Sequence, residues 1–443
     1  MARKNNERSG CIILILATAV CLVLGLWGCD AFERFLGIAP SDPPASSQSA
    51  SRDDGDQREQ PSQQSQPAQQ TTPSQQTTPA PSDDSATKEQ QASQSAQAPT
   101  PAIAEPTGYA YSQLSAADRE KYRALLEVFL TREERQYPST NVDDIGRIRD
   151  CILDDEPELY YVDNLQYVTT TDSSGKVTSV KVTGLYSYDP AQTASLQRQI
   201  DAEVSRCLAG APAGDDYAKA KYFYEYLAAN VSYDHDAQAR NLAGGVYSEG
   251  QTIVESLVNH TSVCTGYARA LQLLLQRSGI PCVVVMGPAR GEAHVWCAAK
   301  LDGDWYFIDP TWGDSQITDE YGQPSGSERL NYDYLCVTSA DLSATHVSDC
   351  PYPVPSCTAT ADNYYVREGL MLTSGDVGAA GAIIRAAAAR GEGSACFRCA
   401  NRDVFDQVFH GLIEEGAAFD YIPGDTYHYY YNDDMLTMEL VFG

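Results

Sequence analysis

A stretch of 60 residues in this chain of 443 lacks apolar side chains. Between Ser41 and Thr100 there is no Val, Ile, Leu, Met, Phe, Trp, Tyr or Cys. A segment without apolar side chains cannot offset the entropy lost on ordering by burying surface. We therefore predict a disordered stalk, rich in Ser, Gln, Pro and Thr, over residues 29–107. The folded part then begins near Gly108 and is long enough for more than one domain.

Basic residues are scarce as well, with 31 Lys and Arg against 60 Asp and Glu, and the formal net charge is −29. A body this acidic repels phosphate backbones, which excludes nucleic acid as a partner. The sequence also lacks an acidic loop with the ligand spacing of a calcium site, which argues against calcium dependence. We predict neither a cofactor nor a metal.

The N-terminus indicates where the protein works. Three basic residues precede an almost wholly apolar run, Cys11–Gly28, which ends in Leu26-Trp27-Gly28-Cys29. This arrangement resembles a bacterial lipoprotein signal peptide, with residues 1–28 as the signal and Cys29 as the lipidated residue. The alternative is an uncleaved signal anchor, because the run is just long enough to span a bilayer. Both place the rest of the chain outside the cytoplasmic membrane, and the first predicts attachment through the lipid anchor alone.

The cysteines show no evident pairing. The chain has 13 cysteines. When those in the signal segment, Cys29 and Cys264 are set aside, an odd number remains, so the remaining cysteines cannot all pair. Outside the membrane disulfides are plausible, and Cys350 with Cys357 is the nearest candidate pair. The motif Cys396-Phe-Arg-Cys399 is similar to a redox or zinc motif, but ordinary buried or paired cysteines are the simpler interpretation.

The folded part opens with a mixed pattern that predicts an N-terminal α+β region over residues 108–209. Ser115 has the position of a helix cap, since an apolar helical pattern follows it. Strand-like stretches at Leu165–Thr170 and Val177–Tyr188 come next, joined by a turn. A helix over Pro190–Cys207 closes the region, and another begins near Asp215.

A motif that contains a candidate nucleophile begins the next helix. The sequence Val263-Cys264-Thr265-Gly266-Tyr267-Ala268 is followed by apolar residues that recur on one helical face as far as Leu275. Gly279 is a plausible C-cap of this helix. Cys264 therefore lies at the first turn, where unsatisfied backbone N–H groups and the helix macrodipole favour a thiolate, the nucleophilic form of cysteine.

A base for this thiol is predicted on a β-hairpin 30 residues further along. Asp302-Gly303 is a two-residue turn signal between two strand-like runs. With that turn, Asp309 lies opposite Trp296, so His294 and Asp309 project from one face as diagonal neighbours. A Cys–His–Asp relay requires this arrangement: the imidazole takes the thiol proton, and the carboxylate orients the imidazole and stabilises its charged form.

These motifs resemble a known family. Val-Cys264-Thr-Gly-Tyr-Ala, Ala-His294-Val-Trp and Trp305-Tyr-Phe-Ile-Asp309-Pro-Thr-Trp-Gly-Asp314 are similar to the transglutaminase-like superfamily of bacterial extracytoplasmic proteins. The resemblance implies a papain-like α+β core, which we place at residues 210–345. It also implies that Cys264 is the nucleophile, His294 the general base and acid, and Asp309 the orienting residue.

Other residues have two interpretations each. The backbone N–H of Cys264 is one expected donor to an oxyanion. Gln251 is a side-chain candidate for the same role, and helix capping is its alternative. Trp296 and Trp312 are candidates for the substrate groove, although aromatic strand residues more often pack in a core.

The last section, residues 356–443, has the pattern of a small C-terminal α/β module. The helix-like stretch Val377–Ala389 and the hairpin Tyr427–Tyr431 with Met435–Phe442 are its clearest elements. The predicted fold class is thus α+β: a transglutaminase-like core with an N-terminal α/β extension and this module.

Two functions of different classes follow from the sequence. The first is a cell-surface thiol acyltransferase or hydrolase, which acts on a peptide or amide bond of a protein or peptide substrate through a Cys thioester. Water or an amine then resolves the thioester, so a peptidase, an amidase and a transglutaminase all remain open. The second is a non-catalytic surface module that keeps the fold to bind protein or wall peptide. The intact set of Cys, His and Asp favours the enzyme.

Overall fold

The N-terminal region combines helices with a three-stranded antiparallel sheet. The computed structural model describes residues 104–242, 250–314 and 330–442; the predicted signal segment and nearly all of the predicted stalk lie outside these ranges. The helices of this region are α1 (Tyr109–Gln113), α2 (Ala116–Thr131), α3 (Ile145–Asp155) and α4 (Pro190–Gly210). The strands are β1 (Arg135–Gln136), β2 (Val162–Thr171) and β3 (Val177–Tyr186), in the sheet order β1-β3-β2.

Local sequence explains where these helices begin. The Ser115 hydroxyl accepts a hydrogen bond from the Asp118 backbone N–H and caps α2, as predicted. Asp189 and Gln192 form a reciprocal capping box at the start of α4, with a proline at its first position. Both caps satisfy backbone donors that a helix cannot satisfy internally.

The central part places one buried helix against an antiparallel sheet. Its helices are α5 (Asp216–Asn230), α6 (His235–Leu242) and α7 (Cys264–Arg277). Two short strands, β4 (Ser232–Tyr233) and β5 (Thr261–Ser262), pair in parallel. The four-stranded sheet consists of β6 (Cys282–Ala289), β7 (Glu292–Leu301), β8 (Asp304–Ile308) and β9 (Leu335–Val337), in that order.

Helix α7 is apolar on most of its surface because it is enclosed on several sides. It packs on β6 and β7, on α5 and on the N-terminal region. Its buried polar residue Gln272 donates a hydrogen bond to the backbone carbonyl of Asp154, 2.6 Å away. The C-cap is Ser278 rather than Gly279, and Gly279 follows it with a φ of +81°, a conformation that glycine adopts without strain. The predicted buried helix is therefore confirmed.

The C-terminal residues form a sheet with its own apolar core. The helices are α8 (Ser339–Leu342), α9 (Tyr364–Arg367), α10 (Val377–Ala389) and α11 (Arg402–Phe409). The strands β10 (Met371–Leu372), β11 (Ser394–Cys399), β12 (Tyr427–Asn432) and β13 (Thr437–Phe442) take the order β10-β11-β13-β12. Buried side chains from α10, α11, β11 and β13 form a separate cluster, although the described residues from Glu105 onwards belong to one compact unit.

The suggested disulfide between Cys350 and Cys357 is wrong, because both residues are free thiols. Cys350 Sγ accepts a hydrogen bond from the Met286 backbone N–H at 3.3 Å, whereas Cys357 Sγ lies 3.8 Å from the carbonyl oxygen of Pro355. The two sulfur atoms thus have different neighbours.

No helix within the described ranges is both long enough and apolar enough to cross a membrane.

Candidate active site

Cys264 occupies the first position of α7, as the sequence predicts, and is half-buried. The residue before it, Val263, is extended, and no side chain caps the helix start. The approach to the helix is held by the backbone carbonyl of Gly250, which accepts hydrogen bonds from the Ser262 hydroxyl at 2.6 Å and the Val263 N–H at 3.0 Å. These bonds fix the position of Cys264 relative to the rest of the core.

Position 266 of the motif is glycine for a steric reason. A Cβ on Gly266 would overlap the Ser262 hydroxyl oxygen and would come within 2.7 Å of the Ser256 hydroxyl. Only a residue without a side chain lets the first turn of α7 lie this close to the segment that precedes it. The position of Cys264 therefore depends on Gly266.

The hairpin that carries the predicted base and carboxylate has the predicted register. Leu301 pairs with Asp304 and Cys297 pairs with Ile308 across the Asp302-Gly303 turn. His294 Nε2 lies 2.7 Å from Asp309 Oδ2, and both side chains are almost completely buried. The predicted hydrogen bond between imidazole and carboxylate is therefore present.

His294 links this carboxylate to the thiol. Burial opposes the charged imidazolium, but the charge of Asp309 and hydrogen bonds to Asp309 and Cys264 outweigh it and raise the pKa of His294 to about 10. Because the ring contacts Asp309 through Nε2, the other ring nitrogen is left for the thiol. Such a pairing favours a proton on the imidazole, next to the sulfur.

Asp309 receives hydrogen bonds at both carboxylate oxygens. The backbone N–H groups of Thr311 and Trp312 donate to Oδ1, at 3.0 and 3.2 Å. At Oδ2 the carboxylate contacts His294 and, at 3.2 Å, His346. Burial works against ionisation, but the two histidines together hold the pKa of Asp309 well below its ordinary value. The residue is therefore an anion in the folded protein.

His346 is the residue of this site that sequence reasoning missed. It is 37 positions from Asp309 along the chain, in the segment between α8 and α9, and its side chain is fully buried. Its second ring nitrogen, Nδ1, lies 2.7 Å from the Thr345 hydroxyl. Burial, with the positive charges of His294 and Arg290, outweighs Asp309 and leaves the pKa of His346 below its ordinary value. No spacing rule joins His346 to the hairpin; its only signal is that the chain has just six histidines.

The two tryptophans enclose the histidines. Trp296 and Trp312 are 0% and 1% exposed, so neither presents a surface to a substrate. Their ring centroids lie 4.8 and 4.5 Å from that of His346, and 6.1 and 5.5 Å from that of His294. The structure thus supports the core-packing interpretation of these residues over a place in the substrate groove. The indoles keep water from the buried side of the imidazoles.

Gln251 lies beside the start of α7. It is half-buried and follows Gly250, whose carbonyl holds Ser262 and Val263 in place. Its backbone is therefore close to the N-terminus of α7.

His294, Asp309 and His346 are also a possible set of metal ligands. Within the described ranges their ligand atoms lie within 4.8 Å of one another. Two imidazoles and a carboxylate suit several divalent metals. However, ligands on a tetrahedral zinc ion are roughly 3.3 Å apart, because each bond is about 2 Å long. The 2.7 Å separation of His294 and Asp309 is that of a hydrogen bond. A metal and this hydrogen bond therefore exclude each other.

The comparison with protein families agrees with this geometry. Residues 207–310 match the family model described as the Transglutaminase-like superfamily, so the chain contains a transglutaminase-like domain within its α+β fold. Cys264, His294 and Asp309 all lie in the matched range, whereas His346 lies beyond it.

Individual proteins are similar to parts of this chain. Kyphoscoliosis peptidase of Mus musculus is 30% identical over 66 residues, a match that covers 12% of this chain and 10% of that protein. A crystal structure of a TGase is 16% identical with a TM-score of 0.26, over 33% of this chain and 45% of the other. The periplasmic domain of TgpA from Pseudomonas aeruginosa is 17% identical with a TM-score of 0.20, over 36% of this chain and 65% of the other.

Proposed function

We propose that this protein is a thiol acyltransferase or hydrolase that acts on peptide or amide bonds through a Cys264 thioester. The observation that carries the proposal is the placement of His294, which contacts the Cys264 thiol on one side and the Asp309 carboxylate on the other. A nucleophile, a base and a residue that orients the base are the three parts that covalent acyl transfer requires.

The reaction balances with these groups alone. The Cys264 thiolate attacks the carbonyl carbon of the substrate, and the carbonyl oxygen becomes an oxyanion. The His294 imidazolium gives its proton to the leaving amine as the C–N bond breaks, and a thioester remains. Water or a second amine then attacks the thioester while His294 accepts a proton. The sulfur then leaves as the thiolate, a carboxylic acid or a new amide is released, and the pair of Cys264 thiolate and His294 imidazolium is restored.

The oxyanion needs donors near the sulfur. Cys264 lies at a helix N-terminus that no side chain caps, so the backbone N–H of Cys264 is the first proposed donor. Gln251 is proposed as the second donor, because the carbonyl of the preceding residue, Gly250, accepts a hydrogen bond from Ser262, just before α7.

The place of action is proposed from the N-terminal sequence. A signal peptide over residues 1–28 and a lipid on Cys29 would anchor the chain to the outer side of the cytoplasmic membrane. The stalk would hold the enzyme away from the bilayer, where protein or peptide substrates of the cell surface are accessible.

A peptide library incubated with the soluble body and a primary amine tests the proposal. Mass spectrometry separates the outcomes, since cleavage, deamidation and amine incorporation each change the mass differently. We expect one of these products with the wild type and a Cys357→Ala control, and none with Cys264→Ala. Cys357 is a suitable control because it is a buried free thiol whose sulfur lies beside the Pro355 carbonyl. Absence of every product with the wild type would favour the non-catalytic binding module.

A further inference from the structure

We propose that His346 is a positioning residue for the reaction: its imidazole donates a hydrogen bond to Asp309 and thereby keeps the carboxylate aligned on His294. The inference rests on the proposed function. It adds to that function a fourth side chain, which contacts neither the thiol nor, in the proposed mechanism, the substrate.

The tautomer of His346 follows from its neighbours. An ionised carboxylate can only accept hydrogen bonds, so Nε2 of His346 must carry the proton at the 3.2 Å contact with Asp309. A neutral imidazole has one N–H, so Nδ1 then accepts from the Thr345 hydroxyl, 2.7 Å away. Burial between two indoles disfavours a charged ring, which agrees with the neutral form.

The fold brings His346 to this place by a backbone ladder along β6. Val347 N–H donates to the Pro288 carbonyl at 2.9 Å, and Asp349 N–H donates to the Met286 carbonyl at 2.8 Å. Between these bonds lies Gly287, which pairs with His294 in the sheet. The segment that carries His346 is therefore tied to the strand next to the one that carries the base.

Gly287 makes this close approach possible. Its φ is +153°, and a Cβ at this position would overlap the Val347 carbonyl oxygen. A side chain here would push the segment, and His346 with it, away from the sheet. The position next to His294 is thus built to admit the strand-like segment.

With His346 in place, Asp309 has four donors. Two backbone N–H groups hold Oδ1, and two imidazoles share Oδ2. Because both of its oxygens accept hydrogen bonds, the Asp309 carboxylate cannot rotate without breaking one of them. Loss of His346 frees one side of Oδ2, so that the carboxylate and the His294 ring that it orients are less firmly held.

Four titratable or charged groups of the described residues lie around His346. Asp309 and His294 face it from the hairpin, Arg290 acts on it from the β6–β7 turn, and the ring of Tyr334 lies 5.9 Å from its own. Arg290 is itself paired with Asp434 at 2.8 Å. Of these groups only Asp309 accepts a hydrogen bond from His346.

Two substitutions of similar size separate a hydrogen-bond role from a packing role. His346→Leu fills the space without a donor, whereas His346→Gln supplies an N–H near the position of Nε2. We expect the rate of Cys264 alkylation at neutral pH to fall about ten-fold in His346→Leu and to stay within about three-fold of wild type in His346→Gln, a small share of what a general base contributes. Once a substrate is known, kcat should fall while KM is unchanged. His410→Ala, at an exposed histidine, is the control.

Equal rates in wild type and both variants, or equal losses in both, would overturn the positioning role. If His346→Leu does not fold, Thr345→Val provides the test, because it removes the hydroxyl that sets the tautomer and keeps the volume. It should slow alkylation while Thr345→Ser does not. If Thr345→Val leaves the rate unchanged, the tautomer argument is wrong.

Nuclear magnetic resonance of the chain labelled with 15N at histidine supplies a readout that needs no acyl substrate. We expect His346 to be neutral at neutral and alkaline pH, with its proton on Nε2. A charged His346 in this range would contradict the proposal. So would one zinc ion retained per wild-type chain and lost in His346→Leu, since it would make the cluster a metal site.

The two proposals fail in different ways. If no peptide product forms but the alkylation rates still depend on His346, the positioning role stands and the proposed reaction is wrong. If products form at the same rate in all His346 variants, the reaction stands and the positioning role is wrong.

Discussion

At the scale of single residues, the site is defined by how one carboxylate is held. Asp309 is buried and ionised because four donors surround it, and its charge in turn keeps a proton on His294. The thiol of Cys264 is next to that proton. The chemistry therefore depends on a charge that the fold protects from water rather than on an exposed acid.

Replacement of Asp309 by Asn tests this dependence on charge. The amide has nearly the same shape, but it carries no charge and one of its two positions donates instead of accepting. We expect turnover to fall by up to about 10⁴-fold, the loss that the same change causes in a hydrolase triad, and Cys264 alkylation at neutral pH to fall with it. Asp304→Asn is the control, because Asp304 lies at the exposed start of β8. An effect equally small in both variants would show that the charge of Asp309 is not needed.

The protonation of His294 should appear in the dependence of stability on pH. Its pKa is raised from 6.5 to about 10, so the folded protein keeps a proton that the unfolded chain releases above pH 6.5. The stabilisation is fully present below that pH and is lost as the pH rises towards 10. Urea unfolding should therefore show a decline between pH 6.5 and 10 that is absent in His294→Gln. Parallel curves for the two proteins would contradict a protonated His294.

At the scale of elements, the start of α7 and the β7–β8 hairpin determine the site. The hairpin register follows from a two-residue turn, which is local information, so the pairing of His294 with Asp309 could be predicted from sequence alone. The helix start required a second condition, the absence of a side chain at Gly266, whose reason lies in contacts with Ser262 and Ser256. Motif recognition identifies that glycine, but only the packing explains it.

Substitution of Gly266 by Ala tests the packing at the helix start. The added methyl group would overlap the Ser262 hydroxyl, so we expect the free energy of unfolding to fall by about 1–3 kcal/mol, the range for overpacking. Gly146→Ala is the matched control, because Gly146 also lies in a helix and has open space on the side where a Cβ would project. It should be neutral or slightly stabilising. If the two variants unfold at the same urea concentration, Gly266 has no steric role.

At the scale of the whole molecule, segments distant in sequence contribute a residue to the site and attach the C-terminal sheet to the core. His346 reaches the site from beyond β9, and the C-terminal sheet is joined to the core by Asp333, which accepts hydrogen bonds from Tyr365, Asn432 and Thr437. Sequence patterns predicted the helix Val377–Ala389 and the last hairpin, because their periodicity is local. They could not predict these attachments, which depend on pairs of residues up to 104 positions apart.

Removal of the Asp333 side chain tests how firmly the C-terminal sheet is joined to the core. Burial raises the pKa of Asp333 in spite of its three donors, so the group is held where water does not reach it. Asp333→Ala leaves those donors without their acceptor, and we expect a loss of about 2–4 kcal/mol in the free energy of unfolding. Asp434→Ala, which breaks a partly exposed ion pair with Arg290, should cost less than about 1 kcal/mol. Equal costs would show that Asp333 is not a key attachment.

The central claim is that Cys264 and His294 form a reactive pair, and the alkylation of Cys264 as a function of pH tests it most directly. Iodoacetamide labelling at pH 6, located by peptide mapping, should modify Cys264 ahead of the buried cysteines, and His294→Ala should abolish this early reaction. If Cys264 is labelled only at alkaline pH, and equally in wild type and His294→Ala, the pair is not reactive and the proposed thioester chemistry is wrong.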